Sequence, residues 1–207
     1  MSSDEVHSVY VACLNAVLQV ADAAGADRAV ILAQANVSPA ILSIPGERVP
    51  VEQFFSLYEI TQKHTNDPDL GLKVGRISFF LGLNLLLYMT TICQNLRQYL
   101  NVVPSIIKMR GDLGLVRIRP DKNFIRLEWH PIDPGSASTR YLSDEMLASS
   151  ALIIASICAL PVPVVAAQFS YARPFDTTAL ELAFGKNLEF DCAVSCLYFS
   201  RESLHYP

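Results

Sequence analysis

The chain has 207 residues, of which 51% are hydrophobic, enough for one substantial core and too few to demand a second domain. Sixteen lysines and arginines against twenty aspartates and glutamates give a formal charge of −4, which excludes the broad positive surface that binding to a phosphate backbone requires. Five cysteines (Cys13, Cys93, Cys158, Cys192 and Cys196), odd in number and set in apolar stretches, fit reduced thiols in a cytoplasmic protein better than a secreted disulfide framework.

The amino terminus lacks the basic start and short apolar run of a signal peptide, and Ser2 with Glu5 fits a helix capping box. From Val6 the apolar residues Val9, Tyr10, Cys13, Val17, Val20 and Ala21 recur at helical steps, and Gly25 follows as a stop. Asp27 caps a second helix running to Asn36, Ser38-Pro39 starts a short third piece, and Pro50 starts a helix reaching about Thr65. Asp67-Pro68 opens another helical turn, with Gly75 placed to close it in the left-handed conformation. Leu83 to Ile92 and Asn95 to Met109 read as two further helices, the second kinked or interrupted at Pro104.

After Gly111 the period changes. Leu113 to Arg119 and Phe124 to Trp129 alternate on either side of Pro-Asp-Lys-Asn, which is a hairpin pattern. Ile125, Leu127 and Trp129 fall on its drier face, and Arg117, Arg119, Arg126 and Glu128 on the wetter one. Residues 132–139 read as a connection, and a long apolar helix follows to Leu160. A strand, a short helix ending at Phe184-Gly185 and a final hairpin with Cys192 and Cys196 near its tip complete the chain. The expected class is α+β: a helical N-terminal half packed on a mainly antiparallel β-sheet, with a further long helix. One domain over 1–207 is expected, helical to about 110 and α+β over about 111–204. The uncharged runs Ile77 to Leu96 and Met146 to Ala172 are not read as membrane spans, because polar residues break the first and Pro161 and Pro163 cut the second.

Two stretches carry a resemblance. Asp67-Pro68-Asp69-Leu70-Gly71-Leu72-Lys73-Val74-Gly75 is followed at family-like spacing by Gly82, Leu86, Tyr88, Asn95-Leu96-Arg97 and Leu100. Val164 to Leu204 contains Phe169-Ser-Tyr171-Ala-Arg173-Pro174, Asp176, Phe184-Gly185, Phe190 and Leu197-Tyr198-Phe199. From about Leu32 to Leu204 the chain resembles the N-terminal regulatory, arabinose-binding-like domain of AraC/XylS-type transcription regulators. The resemblance implies an effector-sensing, homodimerising cytoplasmic domain. It implies contact with DNA only through a C-terminal helix-turn-helix unit, which is expected to lie outside these residues because the sequence ends at Pro207. It does not carry an effector's identity across.

An enzyme would need a constellation, and the sequence offers none. His7, His64, His130 and His205 lie in different elements without metal-ligand spacing, and the hydrolase elbow, phosphate loop and dinucleotide fingerprint are missing. No catalytic residue, metal or cofactor is therefore expected. Cys192 and Cys196 read as strand filling before a redox pair, and His64 as a solvated side chain before a haem ligand. The remaining signal is apolar. Phe79, Phe80, Leu83, Leu87 and Tyr88 from helices, with Trp129, Phe169 and Tyr171 from strands, would either fill a core or enclose a cavity between helices and sheet. Tyr88, Trp129, Phe169 and Tyr171 are the ligand-contact candidates, with Arg173 at the mouth to hold a carboxylate and His130 a weaker choice for that role. The competing expectation is a dimerisation domain with no ligand.

Overall fold

The computed structural model describes residues 7–44 and 46–207. The capping box expected at Ser2 and Glu5 lies outside the described residues. Strand β1 (Ser8–Tyr10) precedes helix α1 (Val11–Ala23), so the helix begins at Val11 and not at Val6. The cause is pairing: β1 lies antiparallel to β2 (Arg48–Pro50), with Val9 opposite Val49. Helix α2 (Arg28–Gln34) is capped as expected by Asp27, whose carboxylate accepts from the Ala29 and Val30 amides. Helix α3 (Val51–Thr65) follows Pro50 and ends on Asn66 in the left-handed conformation.

Helix α4 (Leu70–Leu81) does not stop at Gly75. It runs on because Gly71 and Gly75, one turn apart, face helix α7 (Thr139–Ile157). A Cβ at Gly71 would come within 2.2 Å of the Tyr141 carbonyl oxygen, and one at Gly75 within 2.8 Å of the Glu145 carbonyl oxygen. Both glycines therefore serve a close helix crossing, and tertiary packing overrides the local stop signal. After Gly82 come α5 (Leu83–Ile92) and α6 (Leu96–Arg110), the latter capped by Asn95 accepting from the Gln98 amide. Helix α6 continues through Pro104, which sits on its exposed side, where a lost backbone donor is least costly.

The main sheet has strands β3 (Gly114–Pro120), β4 (Phe124–Pro131), β5 (Ala166–Gln168), β6 (Leu188–Glu189) and β7 (Ser195–Ser200), in the order β3-β4-β7-β5-β6. The β3–β4 hairpin forms as its alternation predicts, and Ile125, Leu127 and Trp129 are buried. The final hairpin does not form. Strand β6 pairs parallel with β5, with helix α8 (Thr178–Phe184) as the crossover, and β7 inserts antiparallel between β4 and β5. Cys192 therefore lies on the segment leading into β7, and Cys196 is buried within that strand.

The result is an α+β fold in which α7 is the central element. It packs on α4 from one side and on β4 and β7 from the other. No helix among the described residues is long and apolar enough to cross a membrane.

Candidate functional site

A cavity of about 310 Å³ opens where the start of α1, the end of α4, and α5, α6 and α7 converge. Helix α6 builds one wall, because Tyr99, Val103, Ile106, Ile107 and Arg110 recur at three- and four-residue steps and so share a face. Met89 from α5, Cys13 from α1 and Ile153 from α7 add apolar surface. Ser78, Arg110, Ser149 and Ser150 are the chief polar groups of the lining.

Behind this wall is an ion pair built from α6 and α7. The Arg110 Nη2 donates to Glu145 Oε1 at 2.7 Å, and Glu145 is 1% exposed. Glu145 also accepts from the Ser78 hydroxyl at 3.0 Å and, through Oε2, from the Tyr58 hydroxyl at 3.1 Å. Both carboxylate oxygens are thus engaged, the condition under which a buried charge is tolerated. Arg110 Nη2 further approaches Ser78 Oγ at 3.4 Å and Cys13 Sγ at 3.8 Å, while Nη1 lies 3.4 Å from the Met146 sulfur. Burial works against the guanidinium's charge, but the neighbouring Cys13 and Glu145 more than offset it and hold Arg110 above the ordinary arginine value. Burial also pushes the Cys13 thiol up, which keeps it a poor nucleophile. Ser149 donates to the Met146 carbonyl at 3.2 Å. Ser150 is 6% exposed, and its hydroxyl has no hydrogen-bond partner among the described residues.

The preceding residue, Asp144, meets a different environment. It is 1% exposed, accepts a short hydrogen bond from the Tyr171 hydroxyl and has Arg140 Nε 4.0 Å away. Burial raises its pKa to about 7 against the opposing pull of Tyr171 and Arg140.

The five residues expected at the site do not converge, and none of them lines this cavity. Tyr88 is 61% exposed on the outer side of α5. Trp129 and Phe169 are fully buried, and the Trp129 ring packs so closely on Gly114 that a Cβ there would lie 2.7 Å from it. Phe169, Tyr171 and Arg173 do meet around Phe190: the ring centroids of Phe169 and Phe190 are 5.1 Å apart, and the Arg173 guanidinium stands 5.3 Å over the Phe190 ring. Of these side chains Trp129 and Phe169 belong to the core, Tyr171 and Phe190 are half-buried, and Arg173 is exposed. Phe80 is exposed, while the side chains of Leu83 and Leu87 lie outside the described residues. His130 bonds to Glu128 at 3.1 Å, and with Arg119 and Arg126 it roofs over that carboxylate, so Glu128 is buried on the face expected to be wet.

Sequence reasoning missed Arg110, Glu145 and Ser150. One signal was present: Asp144 and Glu145 sit in an otherwise uncharged stretch of α7, where acidic groups must find partners from other elements. A second hollow, of about 500 Å³, lies between α4, α7 and α8 near Leu72, Arg76, Leu152 and Leu182.

A ligand-sized hollow framed by a close helical crossing and lined with few polar groups has the character of a binding pocket. The chain belongs to the N-terminal arabinose-binding domains of AraC transcription regulators, whose family model matches residues 25–207. This is a family of regulatory ligand-sensing domains and not of enzymes. No curated protein matches the chain closely enough to stand as a relative.

Proposed function

We propose that this domain senses a small, largely apolar organic molecule in the cavity between α4, α5, α6 and α7, and that occupancy controls a DNA-binding unit of the same regulator. The supporting observation is the lining of that cavity. A sugar carries a hydroxyl on nearly every carbon and would need a partner for each, but the walls are mostly hydrocarbon with a handful of polar groups. Arabinose, the ligand in the family's name, is therefore a poor match for this chain.

A route from the cavity towards the carboxyl terminus supports the regulatory part of the reading. Met89 and Tyr99 line both the cavity and an adjoining hollow of about 240 Å³, whose wall includes Pro207. The Leu96 amide at the start of α6 donates to the Tyr206 carbonyl at 2.9 Å, and the Ala159 amide just beyond α7 donates to the Pro207 carbonyl at 2.7 Å. A ligand that prefers one spacing of α5, α6 and α7 thereby biases the position of the last residues by its differential affinity. Cytoplasmic location, homodimerisation and DNA contact through a separate helix-turn-helix unit accompany this reading. The exposed apolar residues Phe80, Leu81, Tyr88 and Ile92 favour the second reading, in which the domain only pairs regulator chains.

Thermal unfolding of this chain with 1-octanol, toluene and L-arabinose separates the readings. At a concentration of about 100 times Kd, a ligand held by the folded state adds about 2.7 kcal/mol, a rise in Tm of roughly 5 to 10 °C for a domain of this size. The apolar molecules are expected to raise Tm, arabinose is not, and Ile153→Trp, which fills the cavity, is expected to abolish the effect. A shift with arabinose alone, or no shift with any of the three, defeats the proposal.

A further inference from the structure

The cavity's polar wall constrains the charge of what it binds. Resting on the reading of this cavity as the effector site, we infer that the ligand's polar end is an uncharged hydrogen-bonding group, an alcohol or ketone seated at Arg110 and Ser150, and that Glu145 enforces this choice.

Among the described residues Arg110 is the one charged residue of the cavity lining, and a lone arginine in an apolar hollow would ordinarily select a carboxylate. Here its charge is already cancelled. Glu145 holds it at 2.7 Å, and both oxygens of that carboxylate are committed to Arg110, Ser78 and Tyr58. A carboxylate ligand would place a second anion beside a single cation in a poorly solvated space, which costs more than it returns. A neutral oxygen adds no charge, and donors remain for it. Arg110 has five N–H groups, and among the described residues Nη1 meets only the weakly accepting Met146 sulfur. The Ser150 hydroxyl, 6% exposed and without a partner among the described residues, is open to donate to or accept from the same group. An apolar body with one such oxygen therefore satisfies the wall, and an anionic end does not.

Calorimetric titration of the chain near neutral pH with 1-octanol, octanoate and toluene tests this. Octanol is expected to bind about tenfold tighter than octanoate, a difference of about 1.4 kcal/mol. Glu145→Gln leaves an amide oxygen to accept from Ser78 or Tyr58 but frees the charge of Arg110. That variant is expected to gain about tenfold for octanoate and to change little for octanol, bringing the two affinities level. Near-ultraviolet circular dichroism checks that it folds; if it does not, Ser150→Ala decides, by weakening octanol several-fold while leaving toluene unchanged. Octanoate binding the native chain as tightly as octanol overturns the inference, as does an unmoved ratio in Glu145→Gln, or, where Ser150→Ala decides, equal losses for octanol and toluene. If toluene binds and octanol gains nothing over octanoate, only this inference falls. If none of the three binds, the cavity reading falls with it.

Discussion

Asp144 and Glu145 are adjacent on one helix and almost equally buried, yet they meet different sets of partners. Glu145 is matched by a full cation and two hydroxyls, whereas Asp144 has one phenol and a more distant guanidinium and is pushed up to about 7 from an ordinary value near 3.8. The folded carboxyl therefore keeps its proton to a higher pH than the unfolded one. In that window the folded state binds more protons, so stability from this group is intact below about pH 4 and is lost as pH climbs to about 7. Asp144→Asn is expected to flatten this dependence: urea midpoints at pH 5 and pH 8 should differ less in the variant than in the native chain. A native chain whose midpoint falls no further than the variant's between those values contradicts the assignment. Little of this was legible in advance. The charges of Arg110, Asp144 and Glu145 are plain in the sequence, but the pairing of α6 with α7 joins positions far apart along the chain. Tyr88 was chosen for a ring with a hydroxyl, but it lies on a helix apolar nearly all round, and such a helix gives no periodic cue as to which face turns inward.

Between elements, the crossing of α4 on α7 fixes the frame of the site, since Ser78 follows Gly75 on α4 and Glu145 lies under that glycine on α7. Alanine has the better helix propensity by about 1 kcal/mol, so on local grounds each glycine substitution should help. Overpacking decides otherwise. Gly71→Ala would drive a methyl against backbone at 2.2 Å and should cost about 1 to 3 kcal/mol or more, with Gly75→Ala milder at 2.8 Å. Gly82→Ala, whose Cβ meets nothing closer than 3.4 Å among the described residues, serves as the control and should be neutral or mildly stabilising. Chemical denaturation of the three variants checks the order, and a neutral Gly71→Ala would mean that the helices are less tightly apposed. Gly75 reads as a helix stop in the sequence because a glycine near the end of a helical run serves a cap and a crossing equally well. The β3–β4 hairpin was legible from seven- and eight-residue strands with clear alternation, whereas two-residue β6 is too short to reveal its partner or its direction.

For the whole molecule, the layer order follows from composition and pattern: helices first, a mostly antiparallel sheet later, and a long apolar helix, α7, between them. What pattern could not supply is where the layers leave room. Trp129, Phe169, Phe184 and Phe199, each no more than 2% exposed, fill the interior beside the sheet, and the cavity at Arg110 lies among the helices. Its neighbour at Pro207 then places the carboxyl-terminal residues within one layer of side chains of the site, through Met89 and Tyr99. The most direct measurement is a crystal of this chain soaked with 8-bromo-1-octanol and its bromine located by anomalous scattering. The account predicts one ordered bromine among Met89, Val103 and Ile153, with the alcohol oxygen towards Arg110 and Ser150. Bromine ordered instead between α4 and α8, or in neither hollow, would contradict it.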